Sequence, residues 1–144
     1  MNRFGMMAIL IAALFLAGCH TFSGVPHMKN ALITPEELKP GDTALISVQV
    51  KDRHDIVRRV QGVVVEEPRI VFNLRDDGAS GDKKAKDGVW SLAVQVPFQA
   101  PPGEYLLELT ALRSDGTPVP IRDKRGNVSP LKESLPLVIR YEQE

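Results

Sequence analysis

Four aspartates in one short segment are the clearest candidates for chemistry in this sequence of 144 residues. Residues 75–90 read RDDGASGDKKAKDGVW and place Asp76, Asp77, Asp82 and Asp87 among three glycines. Calcium is bound by roughly six to eight oxygen atoms, commonly from carboxylates and backbone carbonyls, and glycine-rich loops let such atoms converge. The four aspartates are therefore candidate ligands of a calcium ion.

A second interpretation of this segment requires no metal. The spacing of the aspartates does not follow the EF-hand pattern of alternating acids before a glycine, and Lys83, Lys84 and Lys86 offset most of their charge. Asp and Gly also favour consecutive turns, because an Asp side chain can accept a hydrogen bond from a backbone amide two residues further on. The sequence leaves both interpretations open.

Groups that could support catalysis are sparse elsewhere. The histidines are His20, His27 and His54, and only His54, between Asp52 and Asp55, falls in the segment that predicts a folded domain. A hydrolytic triad needs a serine, a histidine and an acid that converge, and no serine here lies in a nucleophile-elbow motif. There is also no glycine-rich phosphate loop before a helix. We therefore expect a protein that is not an enzyme.

Composition and charge narrow the class of partner. Lys plus Arg equals Asp plus Glu, at 18 each, so the chain has no net charge that would attract nucleic acid. Hydrophobic residues make up 43% and charged residues 25%, a balance typical of one globular domain. We expect no nucleic-acid partner.

The first nineteen residues have the pattern of an export signal. After Arg3, residues 4–18 are apolar or small throughout, a run shorter than the roughly twenty residues of a membrane-spanning helix. The run ends in Leu16-Ala17-Gly18-Cys19, and Cys19 is the only cysteine in the sequence. This ending resembles the lipobox of bacterial lipoproteins.

The resemblance implies cleavage before Cys19 and covalent lipid on its sulfur and on the new amino group. Such a chain is held by membrane lipid in the bacterial cell envelope without a transmembrane helix. His20, in place of an aspartate after the cysteine, implies the outer membrane in a Gram-negative host. Residues 1–18 are thus the expected signal peptide, and residues 19–30 the lipidated cysteine and a flexible tether.

The rest of the chain alternates between apolar and polar residues. Between Thr43 and Lys51 every second residue is apolar, which predicts a strand with one face on a core. The pattern recurs at residues 69–75, 89–97, 105–111 and 135–141, with a less regular strand at 57–65 and a short one near 32–33. Turn residues separate these segments and no helical period is evident. About seven strands predict an all-β sandwich of immunoglobulin type.

Three turn motifs carry a second resemblance. These are Lys39-Pro-Gly-Asp, the segment at 76–90, and Pro102-Gly-Glu-Tyr. Residues 31–142 resemble the immunoglobulin-like and fibronectin-III-like domains of bacterial envelope proteins, which implies an immunoglobulin-like β-sandwich. Residues 117–134 depart from that pattern as an insertion, with a small hairpin expected around residues 123–127.

The predicted outward face of the strands is more apolar than a fully solvated face requires. Leu45, Val63, Val65, Leu106 and Leu112 are its candidate binding residues, and Val71 and Val138 lie on the same face. They are either scattered exposed aliphatics or a contact surface for a partner. An exposed sheet edge that accepts an extended peptide is a related possibility.

Two functions follow from these patterns. The first is a lipid-anchored, non-enzymatic module whose immunoglobulin-like domain binds or supports another envelope protein. The second is a calcium-dependent envelope or adhesion module that uses the acidic loop at residues 76–88.

Overall fold

The computed structural model describes residues 24–141, which form ten β-strands and no helix. In this part of the chain there is accordingly no helix long and apolar enough to cross a lipid bilayer. The strands are β1 (His27–Thr34), β2 (Glu37–Leu38), β3 (Thr43–Lys51), β4 (Arg59–Val64), β5 (Glu67–Leu74), β6 (Val89–Gln95), β7 (Gly103–Leu112), β8 (Pro120–Arg122), β9 (Val128–Pro130) and β10 (Lys132–Ile139). The prediction of an all-β fold is confirmed, and the long strands number about seven as expected.

Two sheets enclose the core. One has the strand order β1-β3-β6 and the other β2-β10-β7-β4-β5, with β8 and β9 forming a separate two-stranded hairpin. All pairs are antiparallel except β2 with β10, which is parallel. In immunoglobulin lettering these sheets are A-B-E and A′-G-F-C-C′, the order of an immunoglobulin-like sandwich. The chain changes sheets between β1 and β2.

Strand alternation places the core where the sequence pattern predicts it. In β3 the residues Ala44, Ile46, Val48 and Val50 are all buried, while the side chains between them point to the other face. Leu107, Leu109 and Ala111 of β7 face them with no measurable exposure. Burying such aliphatic side chains contributes about 1.5–3 kcal/mol each, so this layer dominates the stability of the domain.

The boundary predicted between tether and domain is wrong. The tether was expected to extend to residue 30, but β1 begins at His27, and both Pro26 and Met28 are buried. A β-bulge between Lys29 and Leu32 interrupts the pairing of β1 with β3, and Asn30 there adopts a positive φ of 54°. The bulge adds one residue to β1 and so shifts the alternation of buried and exposed side chains by one position. The sequence of the whole strand therefore lacks a regular period of two.

The insertion contains the expected hairpin. β8 pairs with β9, and the Asp123 carboxylate accepts hydrogen bonds from the amides of Arg125 (2.8 Å) and Asn127 (2.9 Å) in the turn. The hairpin leaves the five-stranded sheet beside Ala111, whose backbone bonds to Val119 and Leu131. The base of the hairpin therefore lies beside the penultimate residue of β7.

The two ends of the sandwich differ in what they carry. We call one the loop end: it holds the start of β1 and the connections at residues 52–58, 75–88 and 113–119. Gly24 lies directly against the His54 ring there. We call the other the far end: it holds the connections at 39–42, 65–66 and 96–102 and the end of β10. A nine-residue strand separates the ends by about 30 Å.

The alternation of β7 predicts a sharp contrast between neighbouring leucines. Leu107 has 0% exposure and Leu106 has 39%. Leu107→Ala should therefore lower the free energy of unfolding by about 2–5 kcal/mol, and Leu106→Ala by less than about 1 kcal/mol. Denaturant unfolding of both variants measures this, and equal losses would contradict the strand phase.

Candidate functional site

The acidic segment at residues 75–88 folds along the outer edge of β6. Arg75 and Ser91 exchange backbone hydrogen bonds of 2.9 and 2.8 Å, and the Ala93 amide donates to the Ser80 carbonyl at 2.7 Å. Since β6 is the outermost strand of its sheet, these bonds satisfy backbone groups that would otherwise be unpaired. Gly81 makes the close approach possible, because its φ is +98° and a Cβ there would lie 2.8 Å from the Ala93 nitrogen.

The carboxylates of this segment cap its backbone amides. Asp76 accepts from the amides of Asp87 (3.2 Å) and Gly88 (3.3 Å). Asp82 accepts from Gly78 at 2.7 Å, and Asp87 accepts from Val89 at 2.8 Å. The Asp87 contact is with the amide two residues further on, as the second interpretation of the sequence predicts, whereas Asp76 and Asp82 bind amides at other spacings.

Three of the four aspartates also converge. Asp76, Asp82 and Asp87 each offer a carboxylate oxygen within 4.8 Å of the others, and Asp82 is only 6% exposed. Burial raises the pKa of Asp76, the amides of Gly88 and Asp87 oppose this rise, and the charges of Asp82 and Asp87 add to it. The arrangement of oxygens fits a hard cation such as calcium, which would offset this repulsion.

Asp77, which the sequence also makes a candidate ligand, does not belong to this group. Its carboxylate accepts from Arg75 Nε at 2.8 Å and from the Ala79 amide at 3.0 Å. The hydrogen bond from Arg75 is the main reason that the pKa of Asp77 is lowered. Adjacent aspartates thus point to different partners, which spacing alone does not reveal.

Three of the predicted binding residues share one surface. Val63 of β4 lies opposite Val71 of β5, and the Val65 amide donates to the Leu106 carbonyl at 2.9 Å. Val65, Val71 and Leu106 are 47%, 43% and 39% exposed. We call these four residues the outer patch; they lie on the outer face of the five-stranded sheet.

Leu45 and Leu112 are not part of that surface, contrary to the prediction. Leu45 points from the outer face of the three-stranded sheet, where the acidic segment at Gly81 partly covers it. Leu112 is buried at the end of β7, where Pro118 forms a backbone bridge to it. The alternation of apolar and polar residues predicts that both side chains point outward from their sheets. It does not predict which segments cover them.

A cavity at the far end was not predicted from the sequence. It has a volume of about 620 Å³ between the two sheets, within the size range of ligand sites. Its lining residues with polar side chains are Glu66, Glu67, Gln95, Gln99 and Tyr105. Its apolar lining includes Ile46, Val64, Ile70, Phe72, Val94 and Ile139. We call it the interior pocket. Ile70, at 44% exposure, was the one available signal, as an exposed aliphatic on the inward phase of β5.

The pocket opens beside an unpaired strand edge. The backbone N–H and C=O groups of successive residues in a strand point to opposite sides. Those of Arg75 point away from β4, because they bond to Ser91 of β6. The backbone groups of Asn73 and Val71, two and four residues earlier, therefore also point away from β4. β5 is the outermost strand of its sheet, and within residues 24–141 no strand pairs along that side. The acidic segment covers β6 at Ser91 and Ala93 but does not extend to the mouth between β5 and Val94.

The histidine and the acids at residues 52–55 make local contacts. His54 is exposed in the β3–β4 connection, where it contacts Gly24, and the Asp52 carboxylate accepts from the Val57 amide at 2.7 Å. The other carboxylate oxygen, Asp52 Oδ1, is buried and has no hydrogen-bond partner within residues 24–141. Cys19, the predicted lipidation site, lies outside the described residues, as do residues 1–18.

Comparison with known proteins adds no family to these observations. The chain matches no protein-family model, and no curated protein has significant similarity to it.

The aspartate caps predict a pH dependence with two opposite components. Side-chain hydrogen bonds lower the pKa of Asp77, Asp115 and Asp123, so their stabilisation is complete above the unfolded pKa of 3.8 and is lost as pH falls through the folded values. The raised pKa of Asp76 acts in reverse, since its protonation relieves a cost. Thermal midpoints in chelator should hold or rise slightly from pH 7 to about 4 and then fall. A steady fall beginning near pH 6 would contradict this.

Proposed function

We propose that this protein is a lipid-anchored, non-enzymatic module of the bacterial cell envelope that binds another envelope protein. The observation that carries the proposal is the interior pocket, which opens directly beside the unpaired edge of β5. An apolar cavity of this size next to free backbone groups is suited to an extended peptide segment. Backbone pairing would supply affinity, and the pocket would select side chains.

The geometry specifies what the bound segment must contain. A strand added to β5 would pair with the backbone of Val71 and Asn73, and every second side chain would point toward Ile70 and Phe72. Because the lining is mostly apolar, those side chains should be aliphatic or aromatic. The outer patch, which includes Val71, would extend the contact on the opposite face of the added strand.

The anchor gives this binding a location. The lipobox resemblance at residues 16–19 supports acylation of Cys19, and His20 after it supports the outer membrane of a Gram-negative cell. Two or more acyl chains give stable membrane attachment where one chain gives only weak binding. A tethered module meets partners near the membrane at a high effective concentration.

A charge placed at the mouth of the pocket tests the binding proposal. With a photo-crosslinking residue at position 73, the full-length protein in cells should yield a discrete adduct. Ile70→Asp should reduce that adduct tenfold or more, because a carboxylate would be buried without a partner. Val128→Asp is the matched control, since Val128 is 59% exposed on the β8–β9 hairpin and should leave the adduct unchanged. Peptide capture at β5 would be refuted if the protein with the crosslinker at position 73 and no other change gave no adduct. It would also be refuted if the Ile70→Asp and Val128→Asp variants gave equal amounts of adduct.

A calcium-dependent module is the second candidate, favoured by the convergence of Asp76, Asp82 and Asp87. An ion held by these three carboxylates would stabilise the cover of the β6 edge. It would thus couple calcium concentration to the stability of the strand that borders the pocket.

Thermal unfolding in calcium and in chelator tests this candidate. Calcium at a hundredfold its dissociation constant should stabilise the fold by about 2.7 kcal/mol, an increase of several degrees in the midpoint. Asp82→Asn should abolish the increase, whereas Asp77→Asn, which removes a charge outside the cluster, should preserve it. Superimposed curves for the unsubstituted protein would leave the segment as turns alone.

A further inference from the structure

The strand edges on the two sides of the interior pocket face each other. β5 and β6 belong to different sheets, but an isolated antiparallel bridge joins them where Arg75 and Ser91 exchange backbone hydrogen bonds. Four residues from this bridge along each strand, Gln95 of β6 lies opposite Val71 of β5 in the same antiparallel register. Phe72 and Gln95 both line the interior pocket. The two strands thus border one opening, which begins at the bridge and extends toward the far end.

The part of the β6 edge beside this opening has unpaired backbone groups, as the β5 edge does. The backbone groups of Ser91 point away from β3, and those of Gln95, four residues later, point to the same side. The Val96 amide points in the opposite direction and donates to the Asp42 carbonyl at 2.8 Å, as the alternation requires. The acidic segment pairs with β6 no further than Ala93. Within residues 24–141 the N–H and C=O of Gln95 therefore have no backbone partner.

An extended segment placed between these two edges would pair with both of them. One side of its backbone would bond to Val71 and Asn73, and the other side would bond to Gln95. Such a segment would join the two sheets and cover the pocket, whereas a strand added to β5 alone would leave the groups of Gln95 unpaired. The bridge at Arg75 closes the opening toward the loop end, so the segment must end or turn outward there.

The charge of the pocket lining indicates a further property of the segment. Glu66 and Glu67 are the charged residues among those that line the pocket. Arg69 pairs with Glu67 at 2.6 Å, but Glu66 forms no ion pair within residues 24–141. The two Glu66 oxygens share one donor, the Leu106 amide, at 3.1 and 3.0 Å, which leaves them capacity to accept from a cation. A lysine or arginine is the group that complements this carboxylate.

We propose that the partner protein inserts an extended segment between β5 and β6, and that this segment carries a lysine or arginine beside its apolar residues. The inference rests on the proposed function and adds pairing with both sheet edges and a basic residue to it. The apolar side chains occupy the interior pocket. The basic side chain contacts Glu66, which directly precedes β5, where the segment emerges at the far end. Backbone pairing supplies affinity, and the charge favours basic segments over acidic ones.

Photo-crosslinking from the β6 side tests the insertion. In cells that express the full-length protein, a crosslinking residue at position 95 should give an adduct with the same partner as a crosslinking residue at position 73. Position 43 is the control, because Thr43 is the β3 neighbour of Gln95, is also exposed, and lies one strand further from the opening. A crosslinking residue at position 43 should give roughly tenfold less adduct than one at position 95.

Amide exchange tests the pairing itself, with the adduct formed at position 73 as the sample. The amide hydrogens of Val71 and Gln95 should exchange at least tenfold more slowly in the purified adduct than in the free protein, because both become hydrogen-bonded. The Ala93 amide is the internal control, since it already donates to the Ser80 carbonyl. Slower exchange at Val71 without slower exchange at Gln95 would overturn the insertion.

Removal of one carboxylate charge tests the basic residue of the segment. Glu66→Gln keeps an oxygen for the Leu106 amide but loses the charge, so the adduct at position 73 should fall severalfold. Asp115→Asn is the matched control, because Asp115 is exposed at the loop end and asparagine keeps an oxygen for the Thr117 amide. This control should leave the adduct unchanged, and thermal midpoints establish that both variants are folded. Equal adducts in the two variants would overturn the contact with a basic residue.

The outcomes distinguish insertion from simple capture at β5. An adduct from position 73 without one from position 95 would overturn the insertion and leave the proposed function intact. The absence of an adduct from position 73 would overturn both. An adduct that consists of two copies of this chain would show that the opening receives a second copy, and would overturn the insertion of a partner protein.

Discussion

The unequal edges of the two sheets are the constraint on which the rest of this structure depends. An open β-sandwich must leave outer strands with unpaired backbone groups, and such edges invite pairing with other chains. Here the edge of β6 is covered, because Ser80 and Arg75 supply the missing partners to Ala93 and Ser91. The facing edge of β5 has no such cover within residues 24–141. The mouth of the interior pocket lies where the cover ends.

The acidic segment that forms this cover serves local structure first. Each converging carboxylate also accepts hydrogen bonds from amides of the segment, so the aspartates determine its path whether or not an ion is present. Burial is the main cause of the raised pKa of Asp76, and the charges of Asp82 and Asp87 add to it, a repulsion that a cation would offset. Turn formation and ion binding are thus compatible uses of the same side chains. The choice between them is a question of affinity.

Local patterns in the sequence predicted much of the fold, because strand phase and turn chemistry depend on neighbours along the chain. The bounds of β3 and the hairpin around residues 123–127 are examples. Only the part of β1 near residues 32–33 was predicted, because the bulge at Asn30 breaks the period of the strand. The interior pocket was not predicted, since strand phase gives the inward direction of Ile70 and Val94 but not the space between the two sheets. Which aspartates converge was equally hidden, because Asp76 and Asp87 meet across eleven positions of chain.

The short connection between Cys19 and Gly24 has a consequence for partner choice on the proposed anchor. Because β1 begins at the loop end and the pocket lies at the far end, the sandwich would act as a spacer that can place the binding mouth up to roughly 30 Å from the lipid surface. A protein lying flat on the same membrane would reach that mouth only when the sandwich tilts toward the bilayer. Selection would then depend on how far a partner projects from the bilayer or on its arrival from the opposite layer of the envelope. The height of a partner above the membrane would thus limit which proteins reach the pocket before side-chain recognition begins.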